Sequence, residues 1–92
     1  MIKSWKNSAT RQFAETGKSK FSGLDVEKAM LRLRSLDDLV ALSEIGRMKG
    51  TGLHKLTGDR KGQWAMTING PWRLVFEFTN GNAYNVEIVD YH

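Results

Sequence analysis

The spacing of apolar residues changes once along the chain. Up to Gly52 they recur at three- and four-residue intervals, and from Leu53 onward they alternate. Ile2–Trp5 reads as a short first strand. Asn7 or Ser8 can cap a helix by accepting a backbone N–H bond, Ala9 and Phe13 lie four apart on one face of it, and Gly17 is a natural stop. Gly17 to Gly23 is a basic loop carrying Lys18 and Lys20. A second helix starts at Asp25 as N-cap, with Val26, Ala29 or Met30, Leu33, Leu36 and Val40 as its apolar stripe. Lys28, Arg32 and Arg34 fall largely off that stripe. Asp37 and Asp38 re-cap a short continuation from Leu39 to Ile45, and Gly46 to Gly52 ends the pattern.

The second half reads as strands. Leu53–Leu56 is a short strand candidate, and Thr57–Gly62 a charged turn. Trp64, Met66 and Ile68 then alternate with Ala65, Thr67 and Asn69. Trp72, Leu74, Phe76 and Phe78 alternate with Arg73, Val75, Glu77 and Thr79, and Tyr84, Val86 and Ile88 with Asn85, Glu87 and Val89. Asn69-Gly70 and Asn80-Gly81 punctuate the runs, which predicts a three-stranded antiparallel meander. A two-residue Asn-Gly turn would place Trp72, Leu74 and Phe76 on the face opposite Tyr84, Val86 and Ile88, leaving no dry face. A one-residue slip flips every side chain, so odd-length loops with a left-handed glycine are expected at both hairpins. The predicted fold class is α+β: two N-terminal helices packed on one face of the antiparallel sheet, the other face open and carrying Arg73, Val75, Glu77, Glu87 and Tyr91.

At 92 residues the chain is expected to form one domain, residues 1–92. It has no cysteine, which excludes disulfides, thiolate metal sites and cysteine nucleophiles. The opening residues lack an apolar signal region, and no stretch approaches the roughly 20 apolar residues that span a membrane. A cytoplasmic protein without a membrane partner is expected. Charge adds more. The net charge is +4, but residues 1–63 carry 13 basic and 7 acidic side chains, whereas residues 64–92 carry 1 and 3. A small domain with one basic half suits a polyanionic partner, nucleic acid first.

Few residues can carry chemistry. The sequence closes on Asp90-Tyr91-His92, directly after an apolar strand. It reads either as a solvated tail or as three polar groups fixed by that strand. His54 is the other histidine, beside Lys55 and a basic turn. Two histidines can serve as general acid and base on a phosphodiester, provided the sheet order brings them together. Arg73, the last basic residue, lies mid-strand on the open face, where a guanidinium either grips a phosphate or pairs with Glu77 or Glu87. Gly58-Asp59-Arg60-Lys61-Gly62 lacks the spacing of a phosphate-cradling loop but can steer an RNA backbone. Trp5, Trp64 and Trp72 read as core. No metal-ligand spacing is present, and no cofactor is expected.

Three blocks together resemble the HigB toxins, a branch of the RelE/ParE superfamily also called plasmid maintenance killer proteins. They are Leu53-His54-Lys55-Leu56-Thr57-Gly58-Asp59-Arg60-Lys61-Gly62 up to Trp64, Asn69-Gly70-Pro71-Trp72-Arg73-Leu74-Val75-Phe76-Glu77-Phe78, and Asp90-Tyr91-His92. The opening Ile2-Lys3-Ser4-Trp5 and the length also match. The resemblance implies a toxin of a type II toxin–antitoxin system, an endoribonuclease that cuts mRNA in the ribosomal A site. There a ribose 2′-hydroxyl attacks the adjacent phosphate, without a metal, leaving a cyclic phosphate and a 5′-hydroxyl. Carried onto matching positions, His54 and His92 are the proton-transfer pair and Asp90 sets their charge state or orientation. Tyr91 stacks on or positions a nucleotide, and Arg73 holds the scissile phosphate. Lys18, Lys20, Lys55, Arg60 and Lys61 are the expected RNA-binding residues. The implied partners are the 70S ribosome, mRNA and a HigA-type helix-turn-helix antitoxin, through which operator DNA is reached.

One position departs from the family. Its members commonly read His-Pro-Leu-Lys-Gly-Asp where this chain has His54-Lys55-Leu56-Thr57-Gly58-Asp59. Lys55 shares the face of Thr57 on a strand, so it is expected to replace the missing lysine. The competing functions are a ParE-like, non-enzymatic inhibitor of DNA gyrase, and a basic RNA-binding module without activity.

Overall fold

A computed structural model describes residues 1–90; Tyr91 and His92 lie outside the described residues. The first helix, α1 (Ser8–Thr16), opens as the sequence predicts. Asn7 accepts the Thr10 N–H at 2.9 Å, and at the far end the left-handed Gly17 donates to Phe13 O at 2.8 Å. Phe13 is fully buried. Thr10 is buried as well, and its Oγ1 accepts the Ile88 N–H at 3.0 Å, which ties the helix to the last strand.

Helix α2 (Val26–Asp38) is capped by Asp25, which accepts the Lys28 N–H at 3.1 Å. Ala29, Leu33 and Leu36 are buried, but the outer members of the expected stripe are not: Val40 is 67% exposed. The continuation is a separate short helix, α3 (Leu42–Arg47), so three helices rather than two precede the sheet among the described residues. Its N-cap, Ala41, makes no side-chain capping bond. Asp37 does not re-cap it, because its Oδ1 instead accepts the Ile2 N–H at 2.8 Å.

The strands are β1 (His54–Lys55), β2 (Trp64–Asn69), β3 (Trp72–Thr79) and β4 (Asn82–Asp90), antiparallel in the order β1-β2-β3-β4. A short 3-10 turn, Gly58–Arg60, lies between β1 and β2. The expected first strand is present as two parallel bridges, Ile2 to Ala83 and Trp5 to Val86. Lys3 and Lys6 donate to Ala83 O and Val86 O at 2.7 and 2.9 Å. That covers the free edge of β4, which would otherwise invite pairing with another chain.

The parity requirement holds, but odd-length loops do not meet it. Both turns have two residues between paired strand ends, Asn69–Trp72 and Thr79–Asn82. Asn80 and Gly81 both take positive φ, 51° and 79°, as a type I′ turn requires. The extra residue is absorbed by β-bulges instead. One lies between Thr67 and Asn69 and the other opposite Phe76, where Asn85 adopts φ 52°. Asparagine tolerates that left-handed conformation better than most residues. A bulge shifts register by one just as a longer loop does. Met66, Leu74 and Ile88 therefore fall in line on one face. The second bulge also overturns one expectation: Tyr84 pairs with Glu77 on the opposite face, and Ala83 takes the core position opposite Phe78.

The main core joins Phe13, Leu33, Leu36 and Ile45 to Met66, Leu74, Phe76, Val86 and Ile88. Trp5, Trp64 and Trp72 are half-buried at its margin. The second face of the sheet is not open throughout. Leu56 packs on Ala65 and Val75, with Val89 beside them, and Arg60 reaches Glu87 at 2.8 Å. Burying Leu56 is worth about 2 kcal/mol. The segment between β1 and β2 is thus strapped across the face over Ala65 and Val75, and Arg73 remains half-buried beyond it.

Candidate active site

The strand register fixes which side chains share the second face. His54, Ala65, Val75 and Glu87 form one row across the sheet, and Thr67, Arg73 and Val89 form the next. His54 and Arg73 stand two strands and one row apart, about 12 Å at the backbone. Between them Ala65 and Val75 are fully buried beneath Leu56.

His54 is exposed, but its ring is not free to turn. Nδ1 lies 3.0 Å from Gly52 O. A carbonyl oxygen can only accept, so this contact requires the proton on Nδ1. In the neutral ring Nε2 then carries the lone pair, facing away from the loop. Gly52 is suited to the task because its φ is +54°, and an added Cβ would lie 3.2 Å from Thr67 Oγ1. The loop passes β2 too closely for an ordinary side chain.

Arg73 is held by the turn it follows. Nη1 donates to Gly70 O at 2.6 Å and to Trp72 O at 3.0 Å. The expected alternative, an ion pair with Glu77 or Glu87, does not form. Glu77 Oε2 accepts from Asn85 Nδ2 at 2.9 Å, and Glu87 accepts from Arg60. Among the described residues no carboxylate neutralises Arg73. Its guanidinium keeps N–H groups for an anion, the geometry that grips phosphate oxygens.

The remaining candidates separate. Arg60 is part of the fold: its Nη1 bonds Glu87 Oε1 at 2.8 Å and Gln63 Oε1 at 3.3 Å, and the Glu87 side chain is only 10% exposed. Lys55 lies on the sheet face opposite His54, its Nζ 5.8 Å from the Trp64 ring centroid. Strand β1 ends at Lys55, so the shared strand face with Thr57 on which its replacement role depends is not formed. Lys61 is exposed just after the 3-10 turn, and Lys18 and Lys20 are exposed on the loop after α1. Asp90 ends β4, opposite Trp72 and exposed. Tyr91 and His92, expected in the same site, lie outside the described residues. Among the described residues, no group of three His, Asp or Glu side chains is placed to hold a metal ion. Gly52 and Arg32, which shape the surroundings of His54, carried no sequence signal beyond a break in periodicity and an off-stripe charge.

An exposed imidazole bonded through Nδ1 to a backbone carbonyl, on the same sheet face as an arginine that no described carboxylate neutralises, suits a phosphodiester substrate. Comparison with known proteins agrees. Residues 3–92 match the family described as RelE-like toxin of type II toxin-antitoxin system HigB. The chain belongs to this HigB-like toxin family. It is also 38% identical over 93 residues to Endoribonuclease HigB of Proteus vulgaris, a match covering all of both chains. Membership makes this protein a toxin with an antitoxin partner, and neither match supports the ParE-like gyrase reading. The α+β architecture of this HigB-like toxin, helices first and antiparallel strands after, is the one expected of a RelE-like protein. No helix among the described residues is long and apolar enough to cross a membrane.

Proposed function

We propose that this toxin is a ribosome-dependent endoribonuclease that cuts mRNA in the A site and thereby stops translation in the cytoplasm. The observation that carries the reading is the end-to-end match to a relative named as an endoribonuclease. The bond between His54 Nδ1 and Gly52 O supports a division of labour between the two histidines. His54 Nε2 takes the proton of the ribose 2′-hydroxyl. The 2′-oxygen bonds to phosphorus, the P–O5′ bond breaks, and His92 delivers a proton to the leaving 5′-oxygen. The products are a cyclic phosphate and a 5′-hydroxyl. Arg73 holds the non-bridging oxygens as their negative charge grows, Asp90 orients the proton-transfer pair, and Tyr91 positions a base. No metal ion is required by these steps.

Lys18, Lys20 and Lys61 bind ribosomal RNA phosphates, so binding weakens steeply with salt. The catalytic groups are few, and the ribosome contributes by holding the mRNA in line for attack. The antitoxin is a HigA-type helix-turn-helix protein that carries the toxin to operator DNA. Primer extension on an mRNA with and without programmed 70S ribosomes tests the reading. Cuts at A-site codons that need ribosomes are expected; no cuts under either condition would refute it.

A further inference from the structure

Arg32 sits in the middle of α2 and is 8% exposed. A buried guanidinium is costly unless its donors are satisfied. Here the acceptors are two backbone carbonyls. Nε donates to Thr67 O and Nη2 to Gly50 O, both at 3.1 Å. The side chain therefore joins α2 to β2 and to the loop before β1. A second set of bonds fixes the same loop. Thr67 N donates to Thr51 O at 2.7 Å, and the buried Thr51 hydroxyl bonds Met48 O at 3.2 Å. The next residue is Gly52, where an added Cβ would lie 3.2 Å from Thr67 Oγ1, and the Gly52 carbonyl receives His54 Nδ1. Gly50 and Thr51 are thus held to Arg32 and Thr67 in turn, and the next carbonyl in the chain, Gly52 O, receives the imidazole.

We infer that Arg32 is a positioning residue for RNA cleavage: by bracing Gly50 and Thr67 it holds the Gly52 carbonyl where it fixes the His54 ring with Nε2 toward the substrate. This rests on the base role proposed for His54. A guanidinium present only to join helix and sheet would leave the imidazole indifferent to its loss. A brace would not, because a histidine free in solution exchanges between tautomers, and a base displaced by an ångström loses up to about 100-fold in rate.

The test compares Arg32→Met, which keeps an unbranched apolar stem and removes the donors, with the parent and with His54→Ala. Two readouts are taken: single-turnover mRNA cleavage at saturating programmed ribosomes, and imidazole nitrogen NMR, in which the signal missing from His54→Ala identifies His54. Arg32→Met is expected to bind ribosomes like the parent, to cleave about 10- to 100-fold more slowly, and to lose the Nδ1–H signature of His54. Parent-like cleavage together with a parent-like His54 spectrum would overturn the inference. Cleavage by His54→Ala at the parent rate would instead refute the base role itself. Should Arg32→Met not fold, Gly52→Ala reaches the same carbonyl through the loop, and parent-like cleavage and spectrum in that variant would overturn the inference equally.

Discussion

The two faces of the sheet are built on different terms. The helix-covered face is a continuous apolar layer, with Met66, Leu74, Phe76, Val86 and Ile88 closed over by Phe13, Leu33, Leu36 and Ile45. Among the described residues, the opposite face has only the small cluster of Leu56, Ala65 and Val75, held down by one half-buried ion pair. The difference shows how a small domain frees a surface for chemistry. The helices supply most of the burial from one side. The Arg60 strap then covers Ala65 and Val75 on the other side and leaves His54 exposed and Arg73 half-buried beside it. Side chains on the first face answer to packing; on the second, His54 and Arg73 are proposed to answer to the substrate.

Substitutions can break this contrast. His54→Ala should lower cleavage by about 100- to 10,000-fold, the range for loss of a general base, while thermal unfolding stays where it is because the ring is exposed. Phe76→Ala, directly behind the site, should do the reverse. It should cost about 3–5 kcal/mol of stability by denaturant titration, and the fraction that remains folded should cleave normally. If both variants lost stability alike, the two faces would not be divided as described.

The ion pair makes a finer test. Arg60→Met should cost about 1–2 kcal/mol, between the values for exposed and fully buried pairs, since Glu87 is left with a desolvated charge. Arg60→Met combined with Glu87→Leu should recover most of that loss in a double-mutant cycle, showing that the strap rather than RNA binding uses Arg60. The smallest effect is expected from Lys61→Ala. Ribosome binding should weaken modestly, and the slope of log affinity against log salt should fall by about one, with the cleavage rate at saturation unchanged.

How far the sequence could be read depended on whether the competing forces were local. Asn7 and Asp25 cap the helices that follow them because each partner lies three residues away. The alternation from Trp64 to Ile88 was enough to place the strands and to demand a parity change at both turns. It could not show that bulges make the change, since a bulge and a longer loop shift the register equally. Asp37 was misread as a cap because its partner, the Ile2 N–H, is 35 residues away. The long-range bonds of Arg32, read as an off-stripe charge, and of Arg60, read as an RNA contact, were missed for the same reason. Their acceptors include Thr67 O, 35 residues on, and Glu87, 27 residues on. In the candidate site, His54, Arg73 and Asp90 were visible through the family's blocks. The Gly52 carbonyl that orients the imidazole was not, because a backbone acceptor leaves no trace in side-chain pattern.

The most direct measurement is the single-turnover rate at which Arg73→Ala cleaves mRNA on programmed ribosomes at saturating toxin. Arg73 is half-buried against its own turn and pairs with no carboxylate among the described residues, which leaves N–H groups for an anion. A fall of about 100- to 1,000-fold, with unfolding and the position of the cut unchanged, is the result predicted for a guanidinium that stabilises charge in the transition state. A parent-like rate would contradict the claim that this end of the sheet is where RNA is cut.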